Sequence, residues 1–547
     1  LEEGRCSRKG NRMTGAGITF PTSADMELLT TLEIDGSNRV NGAPVTYIVD
    51  SNDIEVDPGD FGQVIVVNSS GVTMGNTSVS RGLWFYAGYC DDLMLRDSVW
   101  RGSTRGRWVS LRTQGLQMLN NTIEGFSLEF QSGVDGTISD NRLADSDLYL
   151  IYGYGTRISN NTIWTDDADP IRFYKSTSAE VYDNEVTVRR PHPGAAAIRL
   201  LSAGGSRFHN NSMSGVGFST YLRSHHSWGS YAIDETNTLA GRPVLYLERA
   251  RDRVIDYDYG QIILTKCTNV SISGLAMGAG HGGVVIADSE LMTVGSCKFT
   301  GMVSPAIIMT DTRGIAIEGC LFRDGNSRVE LVEISSKGVE GYDAITGNYF
   351  LNLTPDDTGP AAIHSYRAFI DTIEGNLFRD IDGSGLEGNI GTLNVTANEF
   401  ANCSSQAVHG MLWWTDLFRN SFLDNGVGPN GSQCLDDARD SLWDDGNEGN
   451  YWSDYRSRYP LSSNDGTAWD VPYAIDGKYG LLDHRPLVNY TDRVPPLVFA
   501  HVNDSYLPNT PVSFEAEALD NVGVVEYNWS FYVGGELSFL YGSEAQH

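Results

Sequence analysis

A triplet of Asn, a variable residue and an apolar residue recurs along this chain at a spacing that few folds accommodate. Asn121-Thr-Ile123, Asn141-Arg-Leu143, Asn161-Thr-Ile163, Asn184-Glu-Val186 and Asn211-Ser-Met213 follow one another at intervals of 20, 20, 23 and 27 residues. Asn348-Tyr-Phe350, Asn376-Leu-Phe378, Asn398-Glu-Phe400 and Asn420-Ser-Phe422 do so at 28, 22 and 22. Such a period fits neither a coiled-coil heptad nor a helical repeat of about 34 residues. Between the triplets lie short alternating segments, Leu128-Glu-Phe130, Leu148-Tyr-Leu150, Ile171-Arg-Phe173 and Ile198-Arg-Leu200, and alternation at period two predicts strands with one buried face. Three strands joined by bends consume one period, and turns stacked about 4.8 Å apart pair every backbone group with the turns above and below. The sequence therefore predicts an all-β chain wound as a right-handed parallel β-helix. The Asn column is read as structural, each Asn adopting αL geometry at one bend and bonding to the next Asn along the stack.

A longer repeat overlies the short one. Asn38-Arg-Val-Asn-Gly42-Ala-Pro44-Val-Thr-Tyr47 matches Asn237-Thr-Leu-Ala-Gly241-Arg-Pro243-Val-Leu-Tyr246 at an offset of 199, and Gly62-Gln63-Val64 matches Gly260-Gln261-Ile262 at 198. Two homologous blocks are expected on one axis, residues 38–236 and 237–433, each opened by an excursion that rejoins the helix at Gln63 or Gln261. Residues 1–37 read as the end of a preceding block, so more chain is expected before Leu1. Residues 434–494, rich in Trp and Asp, are expected to close the far end of the stack, with Trp413, Trp414, Trp443 and Trp452 covering the last turn.

Charge narrows the partners. Lys and Arg number 39 and Asp and Glu 70, a net charge of −31, which repels phosphate backbones and argues against nucleic acid. Apolar runs such as Gly282-Gly-Val-Val-Ile-Ala287 are strand-sized, so no membrane span is expected. Seven cysteines are too sparse for a disulfide scaffold, and Cys297 and Cys320, in equivalent contexts, are expected to stack as small buried residues. Sequons at Asn68, Asn76, Asn269, Asn394 and Asn489 fit an extracellular surface.

Leu442-Trp443-Asp444-Asp445-Gly446-Asn447-Glu448-Gly449-Asn450-Tyr451-Trp452-Ser453-Asp454-Tyr455, followed by Pro472-Tyr473 and Asp483-His-Arg-Pro486, resembles the closing element of NosD-type, or CASH-domain, β-helix proteins of archaeal cell surfaces. The two Gly-x-Pro-Val-x-Tyr openings share the likeness, which spans roughly residues 1 to 490. It implies a β-helix located outside the cytoplasm, and the namesake members are periplasmic factors linked to copper-enzyme maturation. Residues 495–547, with Pro495-Pro496, Val512-Ser-Phe514 and Tyr527-Asn-Trp529, resemble a PKD-type immunoglobulin-like module. They stop short of its last strands, so a partial β-sandwich is expected.

Three clusters are candidate sites. In the first block the outward strand residues Glu129, Tyr149, Arg172 and Arg199 form a column near Asp166, Asp167, Asp169 and Lys175. Polysaccharide lyases and hydrolases built on β-helices use acidic residues with Arg or Lys on such a face, so Asp166, Asp169, Arg172 and Arg199 are the catalytic candidates. Trp164, Tyr152, Tyr154 and Tyr174 are placed to stack on sugar rings. In the second block Glu333, His364, Glu387 and His409 alternate as transition-metal ligands would. Asp444, Asp445, Asn447 and Glu448 offer hard oxygens suited to Ca²⁺. The leading expectation is an extracellular structural or adhesive β-helix that contacts glycans, cell-surface proteins or further copies of itself. A polysaccharide lyase or hydrolase and a NosD-like periplasmic copper delivery factor are the alternatives.

Overall fold

The computed structural model describes residues 6–21, 24–166, 169–220, 229–332, 334, 343–355, 361–426, 432–502, 514–523, 527–533 and 536–542. The two helices among these residues, Met26–Thr30 and Tyr455–Arg458, are single turns. The chain forms two compact units, residues 1–248 with 259–265 and 280–282, and residues 249–258 with 266–279 and 283–547. Each is a parallel β-helix.

In the first unit the alternating segments become one strand of every turn. Thr122–Gln131, Asp147–Ile151, Ile171–Tyr174 and Ile198–Leu201 stack in parallel, with Leu128, Leu148, Ile171 and Ile198 in register and buried. Gln117–Leu119, Thr137–Ser139, Arg157–Ser159, Glu180–Tyr182 and Arg207–His209 form a second wall. The triplets supply the third, Arg142–Ala144, Thr162–Thr165, Glu185–Val188 and Ser212–Ser214.

The column runs through Thr77 and Ser98 and then as Asn alone from Asn121 to Asn237, and it corrects one expectation. The αL residue is the one before the ladder residue from Thr77 to Asn211, and Asn76, Asp97, Asn120, Asp140, Asn160, Asp183 and Asn210 hold φ between 52 and 59° over seven turns. Asn and Asp tolerate that region best, and their strict alternation keeps like charges from stacking. The ladder Asn turns its amide inward instead. Asn161 Oδ1 accepts from the backbone N–H and the amide of Asn141, both at 3.0 Å, while its own Nδ2 donates to Ile138 O at 2.8 Å and Asn184 Oδ1 at 2.9 Å. Asn121 through Asn237 repeat this pattern. At the bend after the first wall the αL positions are Asn68, Tyr89, Arg112, Ser132, Tyr152, Lys175 and Ser202, and a bulky residue held there costs on the order of 1 kcal/mol.

The two segments read as excursions are antiparallel hairpins. Val40 pairs with Ala43 and Leu239 with Arg242, after which Val45 and Val244 pair in parallel with Gln63 and Gln261. Both glutamines stand in for backbone. Gln63 accepts from Ile18 N and donates to Ile18 O, and Gln261 does the same with Phe218. No side chain fits at Gly17 or Gly217, where a Cβ would strike the glutamine.

In the second unit the ladder begins with Cys297 and Cys320, the N–H of Cys297 donating to Cys320 Sγ at 3.5 Å and that of Cys320 to Asn348 Oδ1 at 2.9 Å. It continues through Asn376, Asn398, Asn420 and Asn450. The apolar residue of each triplet is here Phe, and Phe299, Phe322, Phe350, Phe378, Phe400 and Phe422 stack with centroids 4.6–5.3 Å apart. Trp452 lies on Phe422 at 4.4 Å and Tyr473 on Trp452 at 3.9 Å, so residues beyond 434 extend the same column. The four tryptophans read as covering the last turn divide in two: Trp443 and Trp452 are buried there, whereas Trp413 and Trp414 are 46% and 62% exposed.

Asp483 ends the ladder. It is fully buried, accepts from Asn450 N at 2.8 Å, Trp452 Nε1 at 2.9 Å and Arg485 N at 3.0 Å, and fills the space a side chain at Gly449 would need. Burial, working against these donors, pushes its carboxyl up to about 7. The folded chain thus keeps a proton that the unfolded chain releases above about pH 4, so this group makes stability fall as pH rises from about 4 to 7. A higher melting temperature at pH 5 than at pH 8 is expected, and Asp483→Asn should narrow the difference; an unchanged difference would contradict this assignment.

The middle position of the triplets separates the units. In the first it carries Thr122, Arg142, Thr162, Glu185 and Ser212; in the second it carries Leu321, Tyr349 and Leu377, which are buried beneath Val494, Leu497 and Phe499. Tyr349 Oη donates to Pro495 O at 3.1 Å, and Lys298 pairs with Glu517 at 2.5 Å. Residues 494–502 and 514–519 are therefore docked along this wall. Leu497–Val502 pairs with Phe514–Leu519, and Tyr527–Val533 with Glu536–Gly542, as antiparallel hairpins.

Candidate functional site

The outward column of the first unit is confirmed by register, Glu129 beside Tyr149, Tyr149 beside Arg172 and Arg172 beside Arg199. Of this column Arg172 and Arg199 wall a cleft of about 570 Å³ that Ser127, Asp145, Asp147, Asp166, Asp169 and His192 complete. Arg199, 8% exposed, meets Asp169 through two bonds, Nε to Oδ2 at 2.5 Å and Nη2 to Oδ1 at 2.9 Å. Gly194 O also accepts from Arg199, and Ala196 N donates to Asp169 at 2.7 Å. One turn earlier Arg172 pairs with Asp147 and lies 4.4 Å over the Tyr149 ring, with its Nε buried and unpartnered. Ser127 Oγ donates to Asp147 at 3.2 Å.

Of the sequence candidates, Asp169, Arg172 and Arg199 thus converge with Asp166 on one cleft, while Asp167 lies outside the described residues. Asp166 stands at its edge, bonded with Asp145 to Arg189 at 2.9 and 2.5 Å. Sequence reading missed Asp147. It faces outward two residues before Tyr149, on the same strand face, so the alternation that produced the column also contained it. Burial raises its carboxyl above the usual range, opposed by the Arg172 guanidinium. The wall is made of fixed, complementary pairs: planar guanidinium donors, carboxylate acceptors and a hydroxyl.

Register corrects the second column. The neighbour of His364 is Glu330, and Glu333 lies outside the described residues. Glu330, His364, Glu387 and His409 occupy successive turns and meet as two pairs, His364 Nδ1 with Glu330 at 2.8 Å and His409 Nδ1 with Glu387 at 3.8 Å. Hydrogen bonding to Glu387 raises the His409 imidazole above its ordinary range. Buried Arg328 lies 3.3 Å from the same Glu330.

The acidic loop beyond Leu442 is held by backbone and guanidinium groups. Asp444 accepts from Gly446 N and His484 N at 2.9 and 2.8 Å, and Asp445 from Asn447 N and Glu448 N at 2.8 and 2.7 Å. Glu448 pairs with Arg419, and Asn447 O accepts from Arg485.

Comparison with known proteins adds a family. The model for NosD, described as a periplasmic copper-binding protein, matches residues 9–246 and again 236–457. The chain belongs to the NosD family. No curated protein matches it. The two NosD matches divide the sequence close to the second Gly-x-Pro hairpin, Gly241-Arg-Pro243, where the 199-residue repeat also divides it. Copper calls for converging imidazole, thiolate or thioether donors. In this NosD-family chain, no three His, Cys, Asp or Glu side chains among the described residues group as a metal ion requires. Cys90, Cys267, Cys297, Cys320, Cys403 and Cys434 are buried, and burial raises the Cys90, Cys403 and Cys434 thiols, disfavouring thiolate there. Met26 and Met411 are its exposed methionines among the described residues. The described residues therefore do not fit copper.

Proposed function

We propose that this NosD-family chain works outside the cytoplasm as a rigid envelope component that contacts polysaccharide, and that the cleft of the first unit is its contact site. One observation carries the reading: Asp147, Asp169, Arg172, Arg199 and Ser127 form a wall of fixed donors and acceptors on an outer strand face. Sugar hydroxyls donate and accept at once, and groups already held in place bind them with little ordering cost. Stacked turns supply the rigidity. Asp147 and Asp169 are each clamped by a guanidinium, an arrangement that holds charge in place and favours contact over proton transfer. The location rests on the periplasmic description of the family.

The test is equilibrium binding to pectins, alginates and glycosaminoglycans, with a reducing-end assay in parallel. Binding without product is expected, and Arg172→Ala should weaken it by about tenfold, the effect of losing one charged contact. No binding to any polymer, or product formation that Arg172→Ala abolishes, contradicts the reading.

A further inference from the structure

The bend that follows the cleft strands breaks a rule that the bend before the Asn ladder keeps. At the bend before the Asn ladder every αL position over seven turns is Asn or Asp, the side chains that region accepts most readily. At the bend after the cleft strands, four successive αL positions are Arg112, Ser132, Tyr152 and Lys175, with φ of 50 to 55°. Their N–H groups bond the following turn at 2.7–2.9 Å, so they stack in one file at about 4.8 Å per turn. Tyr152 and Tyr154 are 51% and 55% exposed. Lys175 Nζ lies 5.6 Å from the Tyr152 ring and 5.4 Å from that of Tyr174, and Arg112 lies 5.5 Å from that of Tyr89. On a chain of net charge −31, neither cation has a carboxylate partner among the described residues.

Strain kept at one bend and avoided at its counterpart points to a role for the side chains that cause it. Aromatic faces suit the C–H faces of sugar rings, and cations that no carboxylate neutralises suit carboxylates. The file begins three residues along the strands that carry Tyr149 and Arg172, and its spacing is close to the length of one sugar in an extended chain. We propose that this strip binds an acidic polysaccharide running along the stack, its carboxylates on Arg112 and Lys175 and its rings on Tyr152 and Tyr154. This rests on the reading that the neighbouring cleft contacts polysaccharide, and it names the chemical class of that ligand.

The test uses the full chain with polygalacturonate, neutral dextran and poly-glutamate, a polyanion without sugar rings. Polygalacturonate should bind more tightly than both, with affinity falling as salt rises. Arg112→Gln with Lys175→Gln should weaken it by about tenfold. Tyr152→Asn, which suits the αL bend, should raise the melting temperature while lowering affinity for polygalacturonate, a combination that a merely structural tyrosine would not give. Equal binding of dextran or of poly-glutamate, or Tyr152→Asn that stabilises without loss of affinity, overturns the proposal. If Arg172→Ala weakens binding and the strip variants do not, the strip proposal alone fails. If no polymer binds, the cleft reading falls with it.

Discussion

Asn161→Ala is expected to lower the stability of the first unit by about 4 kcal/mol, although it removes only a small polar side chain. Four hydrogen bonds disappear with it, those to Asn141 N, Asn141 Nδ2, Ile138 O and Asn184 Oδ1. Their partners are buried and cannot turn to water, and each buried group left unpaired costs about 1–3 kcal/mol. The damage concerns neighbouring turns because one amide serves three of them. Asn160→Ala, one residue earlier, should cost about 1 kcal/mol, since it affects an exposed αL bend alone. Urea unfolding followed by circular dichroism separates the two, and similar losses would contradict the ladder argument.

Truncation after Asn425 is expected to make the chain aggregate. The deletion removes Trp452 and Tyr473, which continue the Phe column, and bares the ring of Phe422. It also strips Val494, Leu497 and Phe499 from Leu321, Tyr349 and Leu377. The last turn is then left with a row of unpaired backbone groups, a template for association. Trp452→Ala isolates the first effect. It empties the place between Phe422 and Tyr473 and takes one donor from buried Asp483, and a loss of about 3–5 kcal/mol is expected from the cavity. A truncated chain that stays monomeric in size-exclusion chromatography and melts like the full chain would contradict this account.

The β-helix is legible in the sequence because stacking makes each turn solve the same problem. A buried amide ladder tolerates little but Asn, with Ser, Thr or Cys near its start, so the triplet survives while its surroundings vary. The same reasoning misplaced the αL residue by one, since Asn suits both a ladder and a bend and the triplet alone does not say which. Arg172 and Arg199 emerge from alternation within short strands of fixed register, and Asp169 from the acidic run just before one of them. Glu333 was substituted for Glu330 because the strand Val329–Val332 and its neighbour Ala361–Glu374 are joined by a longer connection, and counting across it does not preserve register. Trp413 and Trp414 were grouped with Trp443 and Trp452 on composition, whereas burial depends on strand face, and Trp413 points outward beyond Gly391. The apolar docking wall was present all along in the middle letters of the triplets, as Leu321, Tyr349 and Leu377 against Thr122, Arg142 and Thr162.

The claim that the outer face of the first unit is a polysaccharide surface is tested most directly by a crystal structure of the chain soaked with an oligogalacturonide. The account predicts sugar in the cleft between Asp147, Asp169, Arg172 and Arg199, continuing toward Tyr152 and Lys175. Sugar bound instead at the exposed Trp413 and Trp414, or an empty cleft at a concentration that saturates binding in solution, would contradict it.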